Sequence, residues 1–136
     1  MSNDTIPFDI DTICTHEQLA REVGGTEGLL NLLAASEAGD SQETREDVLL
    51  DVIDTLRRRT PPIYPENLSD PSELRRAVTY GSLEKLYRMA MSNSGSVYAD
   101  LHKIFTKKYD AETLGLAPTL ASGGRGSAFS IQVSRR

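Results

Sequence analysis

The sequence predicts an all-α fold, a bundle of four to five helices followed by an extended C-terminal arm. Three observations carry this. Apolar residues recur at helical spacing through residues 15–120. Capping residues and proline or glycine stops punctuate that stretch. Period-two alternation appears only near the end, where Phe129, Ile131 and Val133 alternate with Ser130, Gln132 and Ser134. The chain therefore divides into an extended N-terminal segment (1–14), a helical domain (15–120) and a Gly-hinged arm (121–136).

Each element has its own signal. Thr15-His16-Glu17-Gln18 predicts a capping box, in which the Thr15 hydroxyl accepts from the Gln18 amide and Gln18 reaches back. Leu19, Ala20 and Val23 follow, and Gly24-Gly25 stops the helix. Thr26 can cap a second short helix over 27–36, dense in leucine. A third helix over 42–59 places Val48, Leu49, Val52, Ile53 and Leu56 on one face, with Asp47, Asp51, Asp54 and Arg58 opposite. Thr60-Pro61-Pro62 ends it, because proline lacks a donor and restricts the residue before it. Asp70 as N-cap, Pro71 at the first helical position and Glu73 closing a capping box open a fourth helix, which runs to about Met91. Leu74, Ala77, Val78, Gly81, Leu83, Leu86, Tyr87 and Ala90 form a stripe broad enough to be contacted on two sides. Ser96 can cap a fifth helix, with Val97, Leu101, Ile104 and Phe105 as its apolar face. The core is thus expected to include Leu49, Val52, Ile53, Leu56, Leu74, Val78, Leu86, Leu101 and Phe105.

Composition narrows the function. The chain has 136 residues, 38% hydrophobic and 26% charged, which suits a single soluble domain. No apolar run approaches the roughly 20 residues of a membrane span, and the Met1-Ser2-Asn3-Asp4 start does not read as a secretory signal. A single cysteine, Cys14, cannot form an internal disulfide, and with only His16 and His102 it supplies no zinc set. Charge is segregated. Residues 1–54 carry 13 acids against Arg21 and Arg45, a net of −11, whereas residues 55–136 carry 7 acids and 13 bases, a net of +6. Such a chain can meet copies of itself, acidic flank to basic flank. Alternatively, its acidic and basic helices neutralise each other within one fold.

No constellation points to catalysis, a cofactor or a metal. Asp47, Asp51 and Asp54 read as a solvated helix face, and Asp54–Arg58 as an i,i+4 ion pair. Cys14 and His16 are two apart on a loop, which is not a catalytic pairing. Gly123-Gly124-Arg125-Gly126-Ser127 lacks the Lys-Ser/Thr and following helix of a phosphate loop. Arg57, Arg58 and Arg59 suit a helix C-terminus, where cations complement the dipole, and can also meet phosphate. The alternating segment after the Gly/Ser hinge would need another sheet edge, as in strand addition to a second chain.

The order of features resembles tailed-phage head–tail connector (adaptor) proteins of the Mu-like head–tail joining type. The resemblance rests on Thr15-His16-Glu17-Gln18-Leu19 before Leu29–Leu33, on the acidic stretch 47–54 before Leu56-Arg57-Arg58-Arg59-Thr60-Pro61-Pro62, and on Asp70-Pro71-Ser72-Glu73-Leu74 leading to Leu86-Tyr87-Arg88. It covers about residues 13–116. Thr60 stands where the family often has an aromatic, and the arm has no residue-by-residue match. The resemblance implies a structural virion neck protein, assembled in the host cytoplasm, that forms a ring of about twelve copies by heterologous contacts. Such a ring sits between the capsid portal and the next neck or tail protein, and extends the channel through which DNA passes without specific binding. On this reading Asp47, Asp51 and Asp54 face the channel or a neighbour, Arg57, Arg58 and Arg59 are the basic inter-subunit residues, and Arg125, Phe129, Ile131, Val133, Arg135 and Arg136 dock on the portal. The alternative is a small DNA-binding regulator using the fourth and fifth helices as a helix-turn-helix. Ser96-Val97-Tyr98-Ala99-Asp100 is poor in base-reading side chains for that role. An enzyme ranks last, for want of paired carboxylates, an activated cysteine or metal ligands.

Overall fold

A computed structural model of the chain describes residues 7–121. Over these residues the protein is mostly helical, with six α-helices and three short 3₁₀ turns. Helix α1 (Ile10–Ile13) is a single turn, capped by the Asp9 carboxylate accepting from the Asp11 amide. The 1–14 segment is therefore not wholly extended: burial of Ile10 and Ile13 on one side rewards a helical turn there.

Helix α2 (His16–Glu22) carries the expected capping box. Thr15 Oγ1 accepts from Gln18 N at 3.2 Å, and Gln18 Oε1 accepts from Thr15 N at 2.9 Å. Gly24 and Gly25, at φ +90° and +114°, end it in backbone regions that other residues rarely adopt. Helix α3 (Thr26–Ser36) starts one residue earlier than its sequence signal, so Thr26 is its first residue and Gly25 the uncapped N-cap. Helix α4 (Ser41–Arg57) is capped by Asp40, whose carboxylate accepts from Gln42 N. Asp70 accepts from Ser72 N and Ser72 Oγ, and Pro71 occupies the first position. That first turn, Pro71–Leu74, is 3₁₀, and helix α5 continues from it over Arg75–Ser94. Glu73 does not close a capping box. Its carboxylate crosses to Thr119, accepting from the backbone N at 2.7 Å and from Oγ1 at 2.9 Å. Gly95 (φ +96°) breaks the chain, and Ser96–Tyr98 forms a 3₁₀ turn before helix α6 (Ala99–Gly115). Ser96 makes no side-chain cap there.

Helix α5 is the spine, packed by α3, α4 and α6. Its Ala77, Val78, Leu83, Leu86, Tyr87 and Ala90, and Leu74 of the turn before it, are all buried, which is the two-sided contact that the broad stripe predicts. Leu49, Val52, Ile53 and Leu56 of α4 and Phe105 of α6 complete the expected core. At Gly81 α4 and α6 both approach α5 closely: a Cβ there would lie 2.5 Å from Val48 Cγ1 and 2.6 Å from Tyr109 Cε1. The Tyr109 ring takes the space that the missing side chain leaves.

Leu101 is not core. It is 40% exposed, and Ile104 and Val97 are 47% and 76% exposed. The cause is the roll of α6. Phe105 stacks on Tyr87, with centroids 5.5 Å apart and planes within 9°, and meets Tyr80 at 6.2 Å. Tyr109, one turn on, faces Gly81. That axis turns Leu101 to the rim and Ile104 away from α5, about 100° round the helix from Phe105.

The chain after α6 folds back on the loop before α5. Leu68 and Leu120 form an antiparallel bridge, Ser69 N donates to Thr119 O (2.9 Å) and Ala121 N donates to Asn67 O (2.7 Å).

These contacts set the order of mutational costs. Ile53→Ala should destabilise by about 2–5 kcal/mol through the cavity it leaves. Gly81→Ala should cost about 1–3 kcal/mol by overpacking. Leu101→Ala should stay within about 0.5 kcal/mol. Urea unfolding of the three variants checks this ranking, and equal costs for Ile53→Ala and Leu101→Ala would refute the roll of α6.

Candidate functional surfaces

Helical periodicity places Asp47, Asp51 and Asp54 on one side of α4, away from its core face. Two of the three have cations. Asp47 Oδ2 accepts from Lys85 Nζ of α5 at 3.1 Å, and Asp54 Oδ2 pairs with Arg58 Nε at 2.9 Å, the i,i+4 pair read from the sequence. Asp51 has no bonded cation, and its carboxyl is held above its usual range by desolvation first and then by the neighbouring Asp47 and Asp54 charges. Beside this face lies a groove of about 640 Å³, with Phe8, Leu50 and Ile53 among its apolar lining and Asp51, Asp54, Glu66 and Arg57 among its charged residues. The acidic face is thus partly neutralised from within.

The arginine run divides three ways. Arg57 is exposed and lines the acidic groove. Arg58 is exposed and paired to Asp54. Arg59 is buried, at 6% exposure, so it is not an inter-subunit basic residue. Its guanidinium donates to the carbonyls of Thr113, at 2.7 Å, and Leu116. These belong to the end of α6, where the last helical carbonyls lack intrahelical partners. The dipole-complementing role expected for α4 is therefore played at α6, because the turn after Arg57 swings Arg59 inward. Burial lowers the Arg59 pKa, and the group stays charged.

A second buried arginine was not singled out by the sequence pattern. Arg45, 4% exposed, donates from Nη1 to Asp11 Oδ1 (2.9 Å) and Cys14 O (2.7 Å), and from Nε to Ser41 Oγ (3.0 Å). The available signal was its phase: position 45 falls with Ser41, Val48, Leu49 and Val52 on the buried side of α4. Cys14 is buried, and Sγ lies 3.3 Å from Thr79 Oγ1. Burial pushes its thiol pKa up, which disfavours the nucleophilic thiolate. Among the described residues no group of three or more His, Cys, Asp or Glu side chains could hold a metal ion. No described helix is long and apolar enough to cross a membrane. Arg125, Phe129, Ile131, Val133, Arg135 and Arg136 of the arm lie outside the described residues. The sequence reading also missed a cleft between α2 and α5 that gathers Arg21, Arg75 and Arg76.

No protein-family model, curated protein or solved structure matches the chain.

Two measurements test the electrostatics. Arg59→Ala should cost about 1–3 kcal/mol, because it leaves partly buried carbonyls at the end of α6 without these donors, and Arg59→Lys should recover only part of that. Calorimetry reads both.

For Asp51 the sign follows from its raised folded-state pKa. Between the unfolded and folded pKa values the native state binds more protons, so stability falls as pH rises through that window. Asp51→Asn should therefore raise the melting temperature at pH near 7, with a gain that shrinks on acidification. Tyr109 behaves alike at the alkaline end. Burial, then the Asp51, Glu84 and Asp110 charges, push its pKa from 10.0 up to about 12. Its contribution to stability should fall across that interval, and ultraviolet titration of the phenol should show the delayed ionisation.

Proposed function

We propose that the chain is a structural virion neck protein: a ring adaptor, of about twelve copies, between capsid portal and tail that extends the DNA channel without binding DNA specifically. It would be assembled in the host cytoplasm and reside at the head–tail interface. The resemblance of residues 13–116 to the connector pattern motivates the reading. The observation that carries it is the second apolar face of α6. Leu101 and Ile104 of α6, and Val97 of the 3₁₀ turn before it, are all exposed, while Phe105 and Tyr109 occupy the face against α5. A helix apolar on two sides is expected to be covered on both. Lys103 and Lys107 stand exposed beside this stripe, and the groove at α4 offers apolar lining with Asp51, Asp54 and Glu66. Two different surfaces of one subunit, mutually complementary, give a heterologous contact, which closes into a ring when its rotation permits. The arm, 121–136, is the proposed portal-docking strand, with Arg125, Phe129, Ile131, Val133, Arg135 and Arg136 as its contacts.

Light scattering of the purified chain tests this directly. The wild type should form a multi-subunit species that weakens as salt rises, since exposed charge pairs are screened. Leu101→Glu with Ile104→Glu should remain folded yet shift the species to monomer. Mixed with Asp54→Lys, which spoils the other surface, that variant should pair only into dimers. A chain ending at Leu120 should keep its helicity and lose binding to portal. A wild type that stays monomeric at every concentration, alone and with portal, would remove the ring reading.

A further inference from the structure

The geometry points to a phosphate-binding cleft between α2 and α5, built by Arg21, Arg75 and Arg76. These three line one depression of about 390 Å³ together with Gln18, Thr79 and Tyr80. Arg75 is preset: Nε donates to Ile13 O at 3.0 Å, which anchors the guanidinium and leaves its terminal nitrogens as donors. Arg76 is steadied by the Tyr80 hydroxyl at 3.5 Å and by Glu112 at 3.5 Å. Arg21 is exposed and has no ion pair or hydrogen bond with the other described residues. Gln18 spends its Oε1 on the Thr15 amide, so what it can still offer is its NH₂ group.

The charge balance favours an anion. Among the described residues Glu22 lines the cleft and Glu112 pairs with Arg76, so three guanidinium groups face two carboxylates. An external anion would relieve this excess of positive charge. Guanidinium forks match phosphate oxygens in bidentate pairs. Groups from two helices can meet a phosphate from more than one side, where a carboxylate offers only two oxygens in a plane. The site does not depend on the ring reading, since it lies on α2 and the start of α5, away from the α4 groove and the α6 stripe.

The full chain is titrated with pyrophosphate by calorimetry, and a short labelled DNA duplex is followed by fluorescence anisotropy. Binding of pyrophosphate alone assigns a free phosphate compound. Duplex binding that the same variants abolish assigns a nucleic-acid backbone. In either case Arg21→Gln should lose about tenfold in affinity, the equivalent of one charge-assisted hydrogen bond. Arg21→Gln with Arg75→Gln should abolish binding. Because Arg75 also ties down Ile13 O, the single variant at the unpaired Arg21 keeps the test independent of folding. Glu22→Gln should tighten binding about threefold by removing the competing carboxylate. Failure of the wild type to bind either probe overturns the proposal. So does an unchanged affinity in Arg21→Gln, or an equal loss in Arg57→Gln, which would mean that the probe reads only net charge.

Discussion

Helices α4 and α6 converge on α5 at one residue without a side chain. At Gly81 the helix surface is bare enough for Val48 to approach from α4 and the Tyr109 ring from α6, each within the space a methyl group would need. Much of the remaining arrangement depends on that approach. It sets the roll of α6, and so commits Phe105 to the Tyr80–Tyr87 aromatic cluster. The same roll turns Leu101 and Ile104 outward. It also brings Tyr109 close enough to α4 to feel the Asp51 charge. Close packing makes such a contact an all-or-none constraint, since a dense interior has no slack to absorb an extra methyl group.

Around this packed centre the ends of the elements are tied by charged groups. Arg45 binds the N-terminal turn to α4, Arg59 binds the end of α4 to the end of α6, and Glu73 binds the start of α5 to Thr119. Each tether supplies donors or acceptors to backbone groups that would otherwise be short of partners. Buried charges of this kind specify one arrangement, because a misplaced chain end leaves a guanidinium or carboxylate without its partners. The acidic bias of the first half is therefore absorbed only in part within the chain, through Asp11–Arg45, Asp47–Lys85 and Asp54–Arg58.

The helices were legible in the sequence because their signals are local. The Thr15–Gln18 box, the Asp70-Pro71 start and the glycine stops act between residues a few positions apart, and they hold in the structure. The acidic face of α4 was equally legible, since periodicity alone puts residues 47, 51 and 54 together. What escaped is tertiary. Glu73 has the spacing of a capping box, yet a distant threonine wins its carboxylate. Leu101 has the spacing of a core residue, yet the ring of Tyr109 settles which side of α6 faces inward. Arg59 reads as one of three equivalent arginines until the chain turns it under α6. The Arg21–Arg75–Arg76 cleft joins residues more than fifty positions apart, and no local pattern reports such a meeting.

The pairing of residues 67–69 with 119–121 has a mechanical consequence. The chain leaves α6, returns across the molecule and is fastened beside Leu68 before it continues past Ala121. A pull on the chain beyond that point would load the Asn67, Ser69 and Glu73 bonds together before it could peel α6 from α5. Tension would enter the body through the root of α5, the helix that α3, α4 and α6 pack against, and the fastening would act as a strain relief that isolates α6 from it.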